Sequence, residues 1–102
     1  MILKLQNKRF KVRAVKSLYT INNSLAILLK DKKTNETIAV ITVNLHNSYD
    51  LDLEREYAFV DVNNCPWAER FILKYSLGEY THITSPQGYP LYKFNLEKLY
   101  EN

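Results

Sequence analysis

The sequence predicts an α+β domain: an antiparallel sheet of about five to six strands with one amphipathic helix packed on one face. Three observations carry that expectation. One stretch, residues 63–78, places its apolar side chains at helical spacing and holds the only Trp, the only Cys and one of the two glycines. The rest of the chain alternates apolar and polar residues in short runs broken by turn-forming residues. And 102 residues with 46% hydrophobic and 13% aromatic content can bury a core as a single domain, residues 1–102, without disulfide staples.

The helix has a start, a stripe and a stop. Asn64 or Cys65 is placed to cap it, with Pro66 in the first turn, where a missing N–H costs nothing. Trp67, Ala68, Phe71, Ile72 and Tyr75 make one broad apolar face, while Glu69, Arg70, Lys74 and Ser76 face water. Glu69 and Lys74 suit the helix dipole, and Arg70 has no acid at a helical partner position. Gly78 reads as the left-handed stop.

Strands surround it. Residues 2–5 form a short one, 6–8 a turn, and 9–19 a longer strand in which Phe10, Val12 and Ala14 alternate with Arg9, Lys11 and Arg13. After Ala14 the pattern slips, which a bulge near Ala14-Val15 would explain. Asn22-Asn23 is a turn. Residues 25–30 and 37–45 form an antiparallel hairpin across the polar connection 31–36, with Ala39, Ile41, Val43 and Leu45 facing in. Residues 46–49 are loop, 57–62 a strand, 79–84 a short strand, 85–88 a turn and 91–96 the last strand. Residues 97–102 are frayed or a single helical turn. The sheet face away from the helix keeps Leu28, Ile38, Val40 and Phe59, enough for a dimer or a partner.

Charge is unevenly distributed. The net charge is +3, yet residues 1–30 carry seven cations and no acid, leaving −4 on the remainder. Such a distribution biases partners and encounter rates more than fold. One Cys forms no internal disulfide, so a reduced, cytoplasmic setting is expected; no run reaches membrane-spanning length, and no membrane association is expected.

Asn63-Asn64-Cys65-Pro66-Trp67-Ala68, followed by Phe71-Ile72 and Leu77-Gly78, resembles a motif of an uncharacterised family of small proteins carried on bacterial conjugative elements, plasmids and phages. Leu25-Ala26-Ile27, Ile41-Thr42-Val43-Asn44-Leu45 and Tyr89-Pro90-Leu91-Tyr92-Lys93-Phe94 also match, so the resemblance runs over roughly residues 11–96. It implies a mobile-element setting and no assigned chemistry. The connection 31–36 departs from the pattern: it is Lys-rich and lacks the expected glycine.

Candidate sites follow from the cations first. Arg9, Lys11 and Arg13 project together at roughly 6.5–7 Å intervals along a strand, near the spacing of backbone phosphates. Lys4, Lys8 and Lys16 add charge nearby. Two readings stand side by side: a solvated edge strand that uses its cations against edge-to-edge pairing, or a docking surface for an acidic partner. Arg70, Tyr80 and Tyr89 are further contact candidates, the tyrosines because they combine an apolar body with a polar tip. Asp50, Asp52, Glu54 and Glu56 would share a face in extended form but lack the glycine and ligand spacing of a calcium loop. Cys65 at a helix start, with His46 or His82, could mimic a Cys-His pair, against which stands a buried structural thiol. One Cys and two His do not readily make a zinc site, and two glycines make no phosphate loop.

The expectation is therefore a non-enzymatic binding protein of a mobile element or phage, without cofactor or metal. It would act as a monomer or homodimer by stoichiometric contact through the basic strand, against an acidic protein surface or nucleic acid. An inhibitor of a host defence system is the concrete form, and an accessory nucleic-acid-binding protein is the alternative.

Overall fold

The computed structural model describes residues 1–21, 23–45 and 56–102. The expected loop 46–49 with His46, the acids Asp50, Asp52 and Glu54, and Asn22 of the expected turn lie outside the described residues. The architecture is α+β, with two sheets and one helix. The first sheet contains β1 (Ile2–Leu5), β2 (Lys8–Leu18), β3 (Leu25–Asp31) and β4 (Thr37–Val40) in that order, with β9 (Tyr100–Glu101) pairing β2. The second contains β5 (Thr42–Val43), β6 (Tyr57–Val60), β8 (Pro90–Phe94) and β7 (Gly78–Thr84) in that spatial order. All pairings are antiparallel except the short parallel one between β9 and β2.

The expected single sheet divides at Ile41. The run 37–45 is not one strand: β4 pairs β3, whereas β5 pairs β6. Ile41, fully buried between them, donates its N–H to the Ile27 carbonyl and accepts from the Asp61 N–H, so one residue serves both sheets. Thr42 stabilises the crossing. Its hydroxyl accepts from the Ile27 N–H at 3.1 Å and lies 3.0 Å from the Tyr19 hydroxyl.

No bulge interrupts β2. Its register with β3 is continuous from Val12↔Asp31 to Leu18↔Leu25. Val15 is buried because that sheet face is also covered, with Leu28 opposite on β3 and Tyr100 opposite on β9. The β3–β4 hairpin forms as expected, with a register shift between Leu29 and Lys30. Two tight turns use left-handed residues other than glycine. Gln6 and Asn7, both at positive φ, close the two-residue β1–β2 turn. Asn35 takes positive φ in the glycine-free connection after β3, where the Asp31 carboxylate accepts from the Lys33 and Thr34 N–H groups. Those two bonds hold the Asp31 carboxyl below its ordinary pKa.

The helix, α1 (Ala68–Lys74), is shorter than the stretch suggests. Its N-cap is Trp67, which makes no side-chain cap bond, rather than Asn64 or Cys65. Residues 62–67 instead form turns around buried Asp61, whose carboxylate accepts from the Asn64 N–H and side-chain amide and whose carbonyl accepts from the Cys65 N–H. The apolar stripe buries as expected: Ala68, Phe71 and Ile72 are buried, and the rings of Trp67, Phe71 and Tyr75 form a ladder with centroids 6.0 and 4.9 Å apart.

The stop is Ser76, not Gly78. Ser76 has φ +53°, its N–H bonds the Leu73 carbonyl, and the Leu77 N–H reaches back to the Ile72 carbonyl, the paired bonds of a Schellman ending. Gly78 opens β7, where a Cβ would lie 2.7 Å from the Lys93 carbonyl oxygen; close strand approach is the reason for this glycine. At the chain end the expected single helical turn is a 3-10 turn, Leu96–Lys98, capped by the Asn95 side chain, and it leads into a strand that was not expected, β9.

One continuous cluster of buried residues joins the parts. Leu3, Val12, Ile27 and Leu29 from the first sheet meet Val60, Tyr92 and Phe94 from the second and Phe71 and Ile72 from the helix. The Tyr75 hydroxyl bonds both the N–H and the carbonyl of Ile2, tying the helix end to β1.

Candidate interaction surface

The period of two along β2 sets the surface. Arg9, Lys11 and Arg13 lie on one face, and antiparallel register places Lys4 opposite Arg9, Ile2 opposite Lys11 and Lys30 opposite Arg13. Beneath them Leu3, Val12 and Ala14 are buried in the core, which makes the ribbon a firm support. Five cations therefore share the outer face of β1, β2 and β3.

They are not equivalent. Lys4, Arg9 and Lys11 are exposed, and among the described residues none has a carboxylate within ion-pair distance. Arg13 is half-buried and held: it donates to the Asn35 side-chain oxygen at 2.9 Å, and its guanidinium carbon stands 5.6 Å from the centre of the Tyr100 ring. Lys30 donates to the Asn102 side chain at 2.9 Å. The C-terminal residues thus fasten one end of the basic face and leave the hairpin end free.

The remaining candidates lie elsewhere. Lys8 and Lys16 project from the opposite face of β2, and Lys16 pairs with Glu101 at 2.9 Å. Arg70 is exposed on the helix and, among the described residues, has no ion pair. Tyr80 is part of β7, within the expected short strand; its ring packs on Tyr92 and His82, and its hydroxyl lies 2.6 Å from that of Thr84. Tyr89 precedes β8 and accepts from the Asn63 side chain at 3.0 Å. Neither tyrosine shares a sheet with the basic ribbon. The expected apolar outer face is reduced: Phe59 is buried, Ile38 packs against the core, Leu28 is half-buried, and Val40 alone of the four is exposed.

Cys65 is buried, with its thiol 3.6 Å from the Val40 carbonyl. Burial, reinforced by nearby Asp61, raises its pKa above the ordinary thiol value, the reverse of what a nucleophilic thiolate needs. Glu56, the last of the acidic run, pairs with Lys93 at 3.5 Å. Among the described residues no three His, Cys, Asp or Glu side chains gather as metal ligands, and no helix is long and apolar enough to cross a membrane.

The pairing of Arg13 with Tyr100 is invisible in sequence because 87 positions separate them. The organising roles of Asp61 and Thr42 were also missed; Asp61 three residues before Asn64 was the available signal, an acid at the spacing of a side-chain-capped turn.

With this arrangement in view, the chain's relations are clear. A family model described as a domain of unknown function (DUF4313) matches residues 14–102, and the chain belongs to that family. No curated protein matches the chain. No solved structure matches it either. The free end of the basic ribbon, with Lys4, Arg9 and Lys11, precedes the matched residues.

Proposed function

We propose that the protein is a non-enzymatic binding protein that docks its β1–β2 ribbon onto an acidic surface of a protein partner. One observation carries this: Lys4, Arg9 and Lys11 share an exposed face and, among the described residues, no carboxylate neutralises them. A set of exposed like charges on a rigid support steers an oppositely charged partner and sets the register of contact. The resemblance of the Asn63–Ala68 segment to proteins of plasmids, conjugative elements and phages supplies the biological setting. In that setting the partner is a cytoplasmic host protein, and a defence nuclease complex contacted at an acidic patch, away from the basic surfaces that hold its nucleic acid, is the concrete target. The test is capture of partners from host lysate by the wild type and by a Lys4→Glu, Arg9→Glu, Lys11→Glu variant. Loss of specific partners in the variant supports the role, and identical partner sets overturn it.

A second reading, binding of nucleic acid by the same face, is favoured by two features. The cations recur at strand spacing, roughly 6.6 Å, and the Tyr100 ring is 55% exposed on the same face. Three phosphate contacts give a salt slope of about −2 on single strands. A gel shift that shows no complex even at low salt eliminates this reading.

A further inference from the structure

Beside the ribbon lies a second feature that docking does not use. The edge of β2 carries β1 along Lys8–Lys11 and β9 from Val15 onward, and β1 ends where Met1 and Val12 exchange backbone bonds. Between the two short strands the edge is open at Arg13 and Ala14. An open depression of about 570 Å³ lies at this notch, room enough for a small ligand held against one wall. Its walls include Arg13, Lys32, Lys98, Glu97, Tyr75 and Tyr100.

The charge of this lining is unbalanced. Three side-chain cations face one carboxylate, and among the described residues none of the four belongs to an ion pair. Arg13 also holds the one buried side-chain nitrogen without a hydrogen-bond partner among the described residues, its Nε. That nitrogen has essentially no accessible surface, so the guanidinium meets a ligand through its terminal nitrogens, for which an anionic oxygen is a strong charge-assisted acceptor. The backbone beneath these cations is tied down by hydrogen bonds. The Lys32 N–H bonds the Lys11 carbonyl, the Lys98 N–H bonds the Asn95 carbonyl, and Tyr75 is anchored on Ile2. Arg13 is braced by Asn35 and Tyr100.

We propose that this notch is a binding site for a phosphate monoester. A dianion matches the excess of two positive side chains, and the forked guanidinium matches its tetrahedral oxygens. The aromatic side chains of Tyr75 and Tyr100 give the walls an apolar character beside the charge, which suits a phosphate carried on an organic body. The site uses none of Lys4, Arg9 and Lys11, so it stands or falls apart from the docking surface.

Amide chemical-shift titration of the intact chain tests it. The probes are inorganic phosphate, AMP, and a short oligothymidylate with and without a 5′-phosphate, all at low salt. The site predicts shifts at Arg13, Lys32 and Lys98 with phosphate and AMP, and tighter binding of the phosphorylated oligomer than of its unphosphorylated twin. Preference for AMP identifies a free nucleotide as the source, and preference for the oligomer identifies a strand end; either supports the site. A Lys32→Gln, Lys98→Gln variant, altered at two exposed positions, should lose at least tenfold in affinity, about 1.4 kcal/mol. Arg9→Gln, Lys11→Gln should bind phosphate as the wild type does. Absence of shifts at Arg13, Lys32 and Lys98 with every probe, or equal affinity in the Lys32→Gln, Lys98→Gln variant, overturns the proposal.

Discussion

The two ends of this molecule handle polar groups in opposite ways. At the ribbon end, Lys4, Arg9 and Lys11 stand in water on the outer face of a hairpin whose inner face is committed to the core. At the helix end, polar groups are spent internally. The Tyr92 hydroxyl, on a side chain only 1% exposed, donates to Glu69 at 2.5 Å; Asp61 organises the turns before the helix; Tyr75 grips Ile2. Charge that performs no internal task can be changed without harm to the fold, and a polar group that closes a buried network cannot. The outer face of the ribbon is therefore where the sequence can change with little cost to the fold, and the buried networks are where it cannot.

Substitutions at the helix end should separate from substitutions at the ribbon in both size and kind. The largest loss is expected from Ile72→Ala, which empties a fully buried position between helix and sheets. Urea unfolding should show a loss of about 2–5 kcal/mol. Gly78→Ala comes next, because its Cβ meets the Lys93 backbone oxygen, which cannot swing aside as a flexible side chain would. About 1–3 kcal/mol is expected in the same measurement.

Tyr92→Phe removes one part-buried bond to a carboxylate and should cost about 1–2 kcal/mol near neutral pH. It also carries a pH signature. Burial, then the bond to and charge of Glu69, raise the Tyr92 pKa above its ordinary value. The folded state thus favours the neutral phenol. Its contribution is complete below the unfolded tyrosine pKa, near ~10, and is lost as pH rises from there through the higher folded value. Unfolding at a series of alkaline pH values should show the wild type losing stability more steeply than Tyr92→Phe. The smallest effect belongs to the ribbon: Arg9→Gln, Lys11→Gln should leave the unfolding free energy within about 0.5 kcal/mol of the wild type.

Much of this contrast was legible in the residues. Alternation along residues 9–13 placed Arg9, Lys11 and Arg13 on one face, and the 3.6-residue period placed Phe71 and Ile72 in the core; both follow from local geometry. What local geometry does not contain is where the chain changes sheet. Ile41 continues the apolar pattern of its neighbours, and nothing in that pattern distinguishes a strand that stays from one that crosses. Left-handed residues were misplaced for a similar reason: glycine is the usual signal, but Ser76 and Asn35 take those positions, and Gly78 answers to steric approach instead. Within the candidate surface, the division between free Lys11 and braced Arg13 depends on Tyr100 and Asn35, distant contacts that no strand pattern encodes.

The central claim is that the protein meets its partner through the hairpin end of the basic face. A photo-crosslinking amino acid placed at position 11, and separately at exposed position 79 on β7, tests it directly in host lysate. Adducts of defined mass from position 11 and none from position 79 are the expected result. Adducts from position 79 with none from position 11 would contradict the account and move the interface to the second sheet.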